Sequence, residues 1–431
     1  KEQEKGTLTD GKKVMVGMGA YIIIFPDKVY LNTDSGEFGS MEKSFIQASA
    51  ATFAPSYTGS TYTKISCTGI GKQFNQYDGV EISGCTNADY NKTATIQAKT
   101  DDSITIIGVL ENSFTQASGL KVKRKVPDMD FLTECENRLW GCSSKNHEVY
   151  ASKLGDPLNW NVFEGISTDS YAATIGSDGD FTAAATYSGY ALFFKEHTIH
   201  KVYGNKPSNI QIQTQEAPGV KSGCSASVQV VGTTLIYLSG TGVYGYTGGV
   251  PFALSDVLEK LVLSDGIAGK YQGKYYLSAE TGKGKRLLVY DTAKRLWHKE
   301  DDTRMLLTAP GGGQLYYVDQ DKNVRTITGG DELVEWYLET GDLEEGSLNR
   351  KYIGKIQFMI ELERGSQVDV FLKHDSDAAF RRMITIFAEK KRTYSIPIKP
   401  MRCFYYRWRL EGKGKARLIA VGKYINEGSE I

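Results

Sequence analysis

Five histidines are the most obvious acid–base or metal-binding side chains of this 431-residue chain. His197 and His200 lie closest together, three positions apart, on a turn followed by a probable strand. Residues i and i+2 of a strand share a face whereas i and i+3 do not, so these two rings are not expected to hold one zinc ion. His298 follows Trp297 and is interpreted as a hydrogen-bonded polar residue at a strand end.

Close pairs of aspartates could supply the two carboxylates that glycosidases use. The candidates are Asp178 with Asp180, Asp301 with Asp302, and Asp375 with Asp377. All three pairs lie in apparent loops, where Asp stabilises turns through its own side chain. None is flanked by the several aromatic and Arg residues that would position a sugar ring. Turn formation therefore explains these pairs better than hydrolysis.

Motifs for phosphate binding and nucleophilic catalysis are absent from the sequence. The glycine-rich segment 240–242 lies between two strands, and no helix follows it whose amino terminus could bind phosphate. We therefore predict a protein that is not an enzyme, with no catalytic, cofactor-binding or metal-ligating residues.

Repeated pairs of short apolar strands, separated by glycine-rich turns, form the framework around these residues. The pairs are 137–142 with 148–152, 190–194 with 198–204, 234–239 with 242–246, 273–278 with 286–291, and 314–318 with 323–327. Strand pairs that recur about every 35 to 45 residues are typical of a β-propeller. We expect aromatic residues in the middle of these strands to be core: Trp140, Phe193, Tyr237, Tyr276 and Tyr316.

Two other regions differ from this pattern. Residues 47–125 contain alternating strands joined by Asn/Asp turns, which predicts a small β-barrel or sandwich inserted in a loop. Residues 331–431 alternate apolar and polar side chains and predict a β-sandwich-like domain. The prediction is thus an all-β chain with a β-propeller of about six blades (1–46 and 126–330), an inserted module (47–125) and a carboxyl-terminal β domain (331–431).

Composition agrees with an all-β fold and narrows the function. The chain has 46 Gly, 26 Tyr and 17 Phe but only 10 Pro. The 51 basic and 51 acidic residues give a formal net charge of zero, so no global field attracts nucleic acid or anionic membranes. The longest apolar run, 20–25, is far too short to span a bilayer.

Six cysteines lie scattered without metal-ligand spacing and are interpreted as buried thiols, although a disulfide between Cys67 and Cys85 stays possible. Because the chain begins with Lys and a strand pair starts soon after it, we expect that an amino-terminal stretch precedes this sequence.

The carboxyl-terminal domain is divided by charge. Residues 331–377 contain twelve acidic and five basic residues, whereas 390–423 contain eleven basic residues and one acid. Opposite charges on one domain suit contact between neighbouring subunits. Alternatively, the basic residues contact DNA phosphates, or both charged stretches are ordinary strand faces exposed to solvent. The candidate contact residues are Lys390, Lys391, Arg392, Arg402, Arg407, Arg409, Lys413, Lys415 and Arg417.

The order of several short segments resembles the propeller of bacteriophage tail nozzle, or packaged-DNA stabilisation, proteins. These segments are 137–140, 149–152, 155–160, 176–180, 192–199, 219–224, 235–238, 242–244 and 351–403. The resemblance implies a structural virion protein of the phage tail, in a ring of six copies around the channel through which DNA is ejected. It further implies neighbouring tail or adaptor proteins as partners and transient contact with the genome.

Two other functions stay open on the sequence alone. One is a carbohydrate-binding or glycan-cleaving β-propeller, and the other is a host-receptor adhesin that uses the inserted module. A stable ring would favour the tail protein, whereas a monomer would favour the other two.

Overall fold

The computed structural model describes residues 6–258, 261–329, 333–346, 349–375, 377–389, 392–397 and 401–427. The fold is all-β, and the chain divides into two compact units, Lys1–Thr328 and Gly329–Ile431. The helical turns of the described residues are short 3-10 helices: Ile70–Gln73, Ala88–Tyr90, Pro207–Asn209, Ser225–Ser227 and Asp256–Leu258.

The first unit opens with an antiparallel sheet whose four strands follow one another in the chain. These are β1 (Val14–Met18), β2 (Tyr21–Phe25), β3 (Val29–Asn32) and β4 (Phe38–Ser40). Apolar side chains of β2 pack with residues from the segment after 125, so this sheet shares a core with the chain that follows the predicted module.

An eight-stranded sheet then covers the predicted inserted region 47–125 and also includes a strand before it, which starts at Lys43. Its strands are β5 (Lys43–Ile46), β6 (Ala51–Pro55), β7 (Tyr62–Ser66), β8 (Gly79–Ser83), β9 (Thr93–Thr100), β10 (Ser103–Ile107), β11 (Phe114–Gln116) and β12 (Lys121–Arg124). They pair in the order β11-β6-β7-β10-β9-β8-β12-β5 around a core of their own.

A buried ion pair lies inside this module. Arg124 donates to both carboxylate oxygens of Asp78 at 3.0 Å, and each of the two side chains is 3% exposed. Arg124 also donates from Nε to the carbonyl of Met41 at 2.9 Å, and Asn159 donates to Asp78 at 3.2 Å. The pair therefore joins the module to chain segments on either side of it.

Five further antiparallel sheets follow, each again built from consecutive strands. They comprise β13 (Phe131–Cys135), β14 (Arg138–Ser143), β15 (Glu148–Ala151), β16 (Tyr171–Thr174); β17 (Ala183–Tyr187), β18 (Tyr190–Phe194), β19 (Thr198–Tyr203), β20 (Gln211–Glu216); β21 (Gln229–Val231), β22 (Thr234–Ser239), β23 (Gly242–Tyr246), β24 (Phe252–Ala253); β25 (Ser264–Tyr271), β26 (Lys274–Thr281), β27 (Gly284–Asp291), β28 (Leu296–Lys299); and β29 (Leu307–Gly311), β30 (Gln314–Val318), β31 (Val324–Thr326).

The same tight hairpin joins the first two strands in several of these sheets. Glu136 and Asn137 have φ angles of 51° and 56°, and Ser188 and Gly189 have 51° and 78°. Two consecutive residues with positive φ are what a two-residue type I′ hairpin requires, because its twist matches that of the strands. The second strand is buried on both faces in β14 and β22, so these two sheets are covered on both sides.

Four of the five aromatic residues predicted as core are buried: Trp140, Phe193, Tyr237 and Tyr276. The prediction for Tyr316 is wrong, because its side chain is 38% exposed. Its neighbour Leu315 is fully buried and packs against Gly269 of β25. Successive side chains of a strand alternate between faces, so Tyr316 points away from that neighbouring sheet.

The second unit contains two sheets that enclose a separate apolar core. Its strands are β32 (Glu335–Glu339), β33 (Lys351–Leu362), β34 (Gln367–His374), β35 (Arg381–Phe387), β36 (Arg392–Pro397), β37 (Met401–Cys403), β38 (Tyr406–Lys413) and β39 (Ala416–Glu427). One sheet has the order β32-β38-β34-β35. In the other sheet β33 pairs with β36 and β37, and it also pairs with β39.

Candidate functional site

Arg407 has its acidic partners within its own chain. Its guanidinium donates two hydrogen bonds to Asp342, at 2.6 and 2.9 Å, and lies 3.8 Å from Glu339. These hydrogen bonds hold the pKa of Asp342 below its ordinary value and raise the pKa of Arg407. Arg407 therefore contacts acidic residues of its own chain, from the acidic stretch 331–377 that is predicted to meet it in a neighbouring subunit.

Arg409 and Lys413 also have acidic partners within their own chain. Arg409 contacts Glu411 at 2.7 Å and Glu339 at 3.8 Å, while its guanidinium lies over two phenylalanine rings. Lys413 lies 3.7 Å from Glu335. The cause is topological, because β38 pairs with β32 and thereby places basic and acidic side chains on neighbouring strands. That Arg407 and Arg409 contact a second subunit stays a prediction.

The other predicted contact residues are not brought together into one site. Arg402, Lys415 and Arg417 are exposed. Lys390 and Lys391 lie outside the described residues, and only the backbone of Arg392, the first residue of β36, is described. A continuous basic surface of these nine residues therefore stays a prediction.

Several apolar side chains are exposed on the edge strands of the second unit. Val334, Tyr337 and Leu338 are exposed on or beside β32, and Met383, Ile384 and Phe387 are exposed on β35. On β39, Ile419, Val421 and Tyr424 are exposed. In the described sheets β32 and β35 are the two ends of one sheet, and β39 has β33 as its partner strand. Edge strands with exposed apolar residues are surfaces on which other chains dock.

A cleft of about 600 Å³ in the first unit is lined by residues of the inserted module and of the segments on either side of it. Its walls contain five cationic residues and two acids, and Lys28 contacts both acids, Glu42 at 3.1 Å and Asp128 at 2.7 Å. Arg124 is paired with Asp78 and Lys125 with Glu81. Lys43 and Lys123 complete the cationic lining, so the cleft has a surplus of positive charge.

A buried polar cluster surrounds His200, and no sequence pattern beyond the residue type indicates it. The imidazole is fully buried; Nε2 lies 3.0 Å from the Ser177 hydroxyl and 3.3 Å from the Thr198 hydroxyl, while Nδ1 lies 2.9 Å from the Thr214 hydroxyl. Burial, together with the charge of Lys195, lowers the pKa of His200 to about 4. His200 is therefore neutral at pH 7.

Lys195 belongs to the same cluster and is 1% exposed. Its ammonium donates to the carbonyl of Ser177 at 2.5 Å and lies 4.9 Å from the centre of the Phe181 ring. Burial lowers the pKa of Lys195, and the charges of Asp178 and Asp180 oppose that effect. This aspartate pair therefore acts electrostatically on a buried lysine.

The remaining candidates for chemistry occupy structural positions. His197 is exposed whereas His200 is buried, so the two do not share a site. Asp301 accepts from the backbone N–H of Thr303 at 2.7 Å, and Asp302 contacts Arg286 at 2.8 Å. All six cysteines are free thiols, so the possible disulfide between Cys67 and Cys85 is absent.

Neither a metal-binding cluster nor a membrane-spanning helix lies in the described part of the chain. No group of three or more His, Cys, Asp or Glu side chains there could hold a metal ion. No helix among those residues has the length and apolar character to cross a membrane.

No protein-family model and no curated protein matches this chain. Among solved structures it is similar to AztD from Citrobacter koseri, with 12% identity over 90% of this chain and 97% of that chain and a TM-score of 0.33. It is also similar to an exo-β-1,3-galactanase from Phanerochaete chrysosporium (9% identity, 68% and 95% coverage, TM-score 0.25) and to the endosialidase of phage phi92 (10%, 75% and 43%, TM-score 0.18). Matches at this level carry no argument about function.

Proposed function

We propose that this chain is a non-enzymatic structural subunit of a phage tail, which assembles through its second unit into a ring, most simply of six copies. The order of motifs that resembles tail nozzle proteins supports this proposal from the sequence. From the structure, the supporting observation is the set of exposed apolar side chains on β32, β35 and β39. Neighbouring tail proteins and the passing genome would be its further contacts in the virion.

A closed propeller is the scaffold that we propose for the first unit. Six sheets of consecutive antiparallel strands lie in its described part, besides the module. Their first strands are neighbours in space, since β1 contacts β13, β13 contacts β17, β21 contacts β25 and β25 contacts β29. Sheets of consecutive antiparallel strands whose first strands adjoin are typical of propeller blades, and a closed ring of blades leaves no long free edge.

The proposal predicts an oligomer that depends on the edge of β39. Replacing both Ile419 and Val421 with Glu places two charges on this exposed edge, where charged side chains oppose strand pairing. We expect wild-type protein at micromolar concentration to give the mass of a closed ring by light scattering. The double variant should give a smaller species with an unchanged circular dichroism spectrum.

A matched control is Val109→Glu, which adds a charge at a residue that is 72% exposed in the inserted module. This variant should keep the ring mass, because the module is not part of the proposed contact. A wild-type protein that stays monomeric at all concentrations tested would contradict the assembly proposal.

Binding of an acidic carbohydrate is a second candidate function, favoured by the basic cleft beside the module. Its volume of about 600 Å³ is within the range of small-ligand sites, and Lys43, Lys123 and the amide of Asn161 line it. We expect Lys43→Ala/Lys123→Ala to weaken binding of a uronic-acid oligosaccharide about tenfold in calorimetry if this function holds. Equal binding by the wild type and this variant would exclude the cleft as the binding site for the oligosaccharide.

A further inference from the structure

An apolar groove lies between the sheet β21–β24 and the sheet β25–β28 of the first unit. Its volume is about 460 Å³, and its lining includes Ile236, Phe252, Leu254, Val257, Tyr290 and Arg295. Concave sites of this size with mainly apolar walls and few polar groups are typical binding sites. The groove and the basic cleft have no lining residue in common.

The walls of the groove are held in place by specific contacts. Trp297 donates from its indole to the carbonyl of Leu254 at 2.7 Å, which ties the chain after β24 to β28. The ring of Phe252 lies over Gly245, where a Cβ atom would come within 2.8 Å of it. Because only glycine leaves room for this ring, the position of Phe252 is a property of the fold.

Apolar side chains near the groove are exposed to an unusual degree. Val250 and Val257 are each 73% exposed, and Val262 is 74% exposed. Val257 itself lines the groove, so the wall of the groove has an exposed apolar surface. Such a surface is stabilised when an apolar partner covers it.

Arg295 gives the groove its charge. It is the one charged side chain of the lining, it is exposed, and its backbone has a positive φ of 54°. Among the described residues no carboxylate lies within ion-pair distance of it. An occupant that matches this groove therefore carries apolar side chains together with a carboxylate.

Strand β32 of the second unit has this chemistry. Glu335 and Tyr337 lie two positions apart and so project from the same face, and Tyr337 is 70% exposed. The Glu335 side chain is 81% exposed and has only a loose contact with Lys413 at 3.7 Å. Trp336 points the other way and donates its indole N–H to the carbonyl of Gly414 at 2.8 Å, which fixes the orientation of the strand.

We propose that β32 of one copy docks in this groove of the next copy, with Tyr337 against Phe252 and Val257 and Glu335 paired with Arg295. This contact rests on the proposed assembly function and specifies the partner surface of one of its three edge strands, β32. The two surfaces are different, so the contact is heterologous, and a repeated heterologous contact forms a ring when its rotation closes.

A charge exchange tests the contact. Arg295→Glu alone and Glu335→Arg alone each place like charges together, and each should weaken assembly about tenfold or more. Arg295→Glu/Glu335→Arg restores opposite charges and should return the dissociation constant to within about threefold of wild type. Lys294→Glu is the control, because this neighbouring lysine is outside the lining, and it should have no effect.

Cross-linking gives a second readout that does not depend on affinity. Chains carrying Val257→Cys are mixed with chains carrying Tyr337→Cys and oxidised, and we expect a disulfide-linked dimer that neither chain forms alone. The six native cysteines are buried and should not interfere. If rings of full mass form without that dimer, and Arg295→Glu also assembles normally, the proposed contact is wrong. The assembly proposal would still stand in that case. Absence of any ring would overturn both.

Discussion

Replacement of Asp78 by Ala is expected to lower the free energy of unfolding of the first unit by about 3–5 kcal/mol, the usual cost of breaking a buried ion pair. The substitution leaves the Arg124 guanidinium, which is 3% exposed, without its carboxylate. The amide of Asn159 and the backbone N–H of Asn75 lose an acceptor at the same time. Urea unfolding at pH 7 measures the change.

Two variants make this result specific. Arg124→Met/Asp78→Ala removes both charges, so it should be less destabilised than the sum of the two single variants, because no charge stays buried alone. Glu81→Ala breaks the exposed pair with Lys125, whose side chains are 51% and 41% exposed, and should cost less than about 1 kcal/mol. If Asp78→Ala costs no more than Glu81→Ala, the buried network has no structural role.

Acidification is expected to destabilise the protein through His200. The pKa of His200 is about 4 in the folded state, below the ordinary value of 6.5, so the unfolded chain takes up a proton that the folded chain does not. The stability due to the neutral ring is complete above pH 6.5 and is lost as the pH falls towards 4. This difference between the unfolded-state and folded-state pKa corresponds to about 3 kcal/mol of unfolding free energy.

Comparison of variants separates the contribution of His200 to the pH dependence of stability from that of the carboxylates, which also titrate as the pH falls. His200→Gln should show a decrease in unfolding free energy between pH 7.5 and 4.5 that is about 2–3 kcal/mol smaller than in wild type. His197→Gln changes an exposed ring and should behave as the wild type. Identical pH dependence in all three proteins would show that His200 titrates normally.

Local features of the fold were predictable from the sequence because they depend on neighbouring residues. Short apolar strands with turn residues between them predict hairpins such as that from β13 to β14, where Glu136 and Asn137 form the turn. The different strand pattern of 47–125 likewise coincides with a sheet that has its own core.

Pairing between distant strands decided the properties of the candidate sites. The sequence by itself determined the all-β character, the positions of most strands and the burial of Trp140 and Phe193, since alternation and turn chemistry act over a few residues. Only the tertiary structure decided that Arg407 meets Asp342, because 65 residues separate them and β32 must pair with β38 first. It likewise decided that His200 is buried beside Lys195 whereas Tyr316 is exposed, since burial depends on which sheet covers each face.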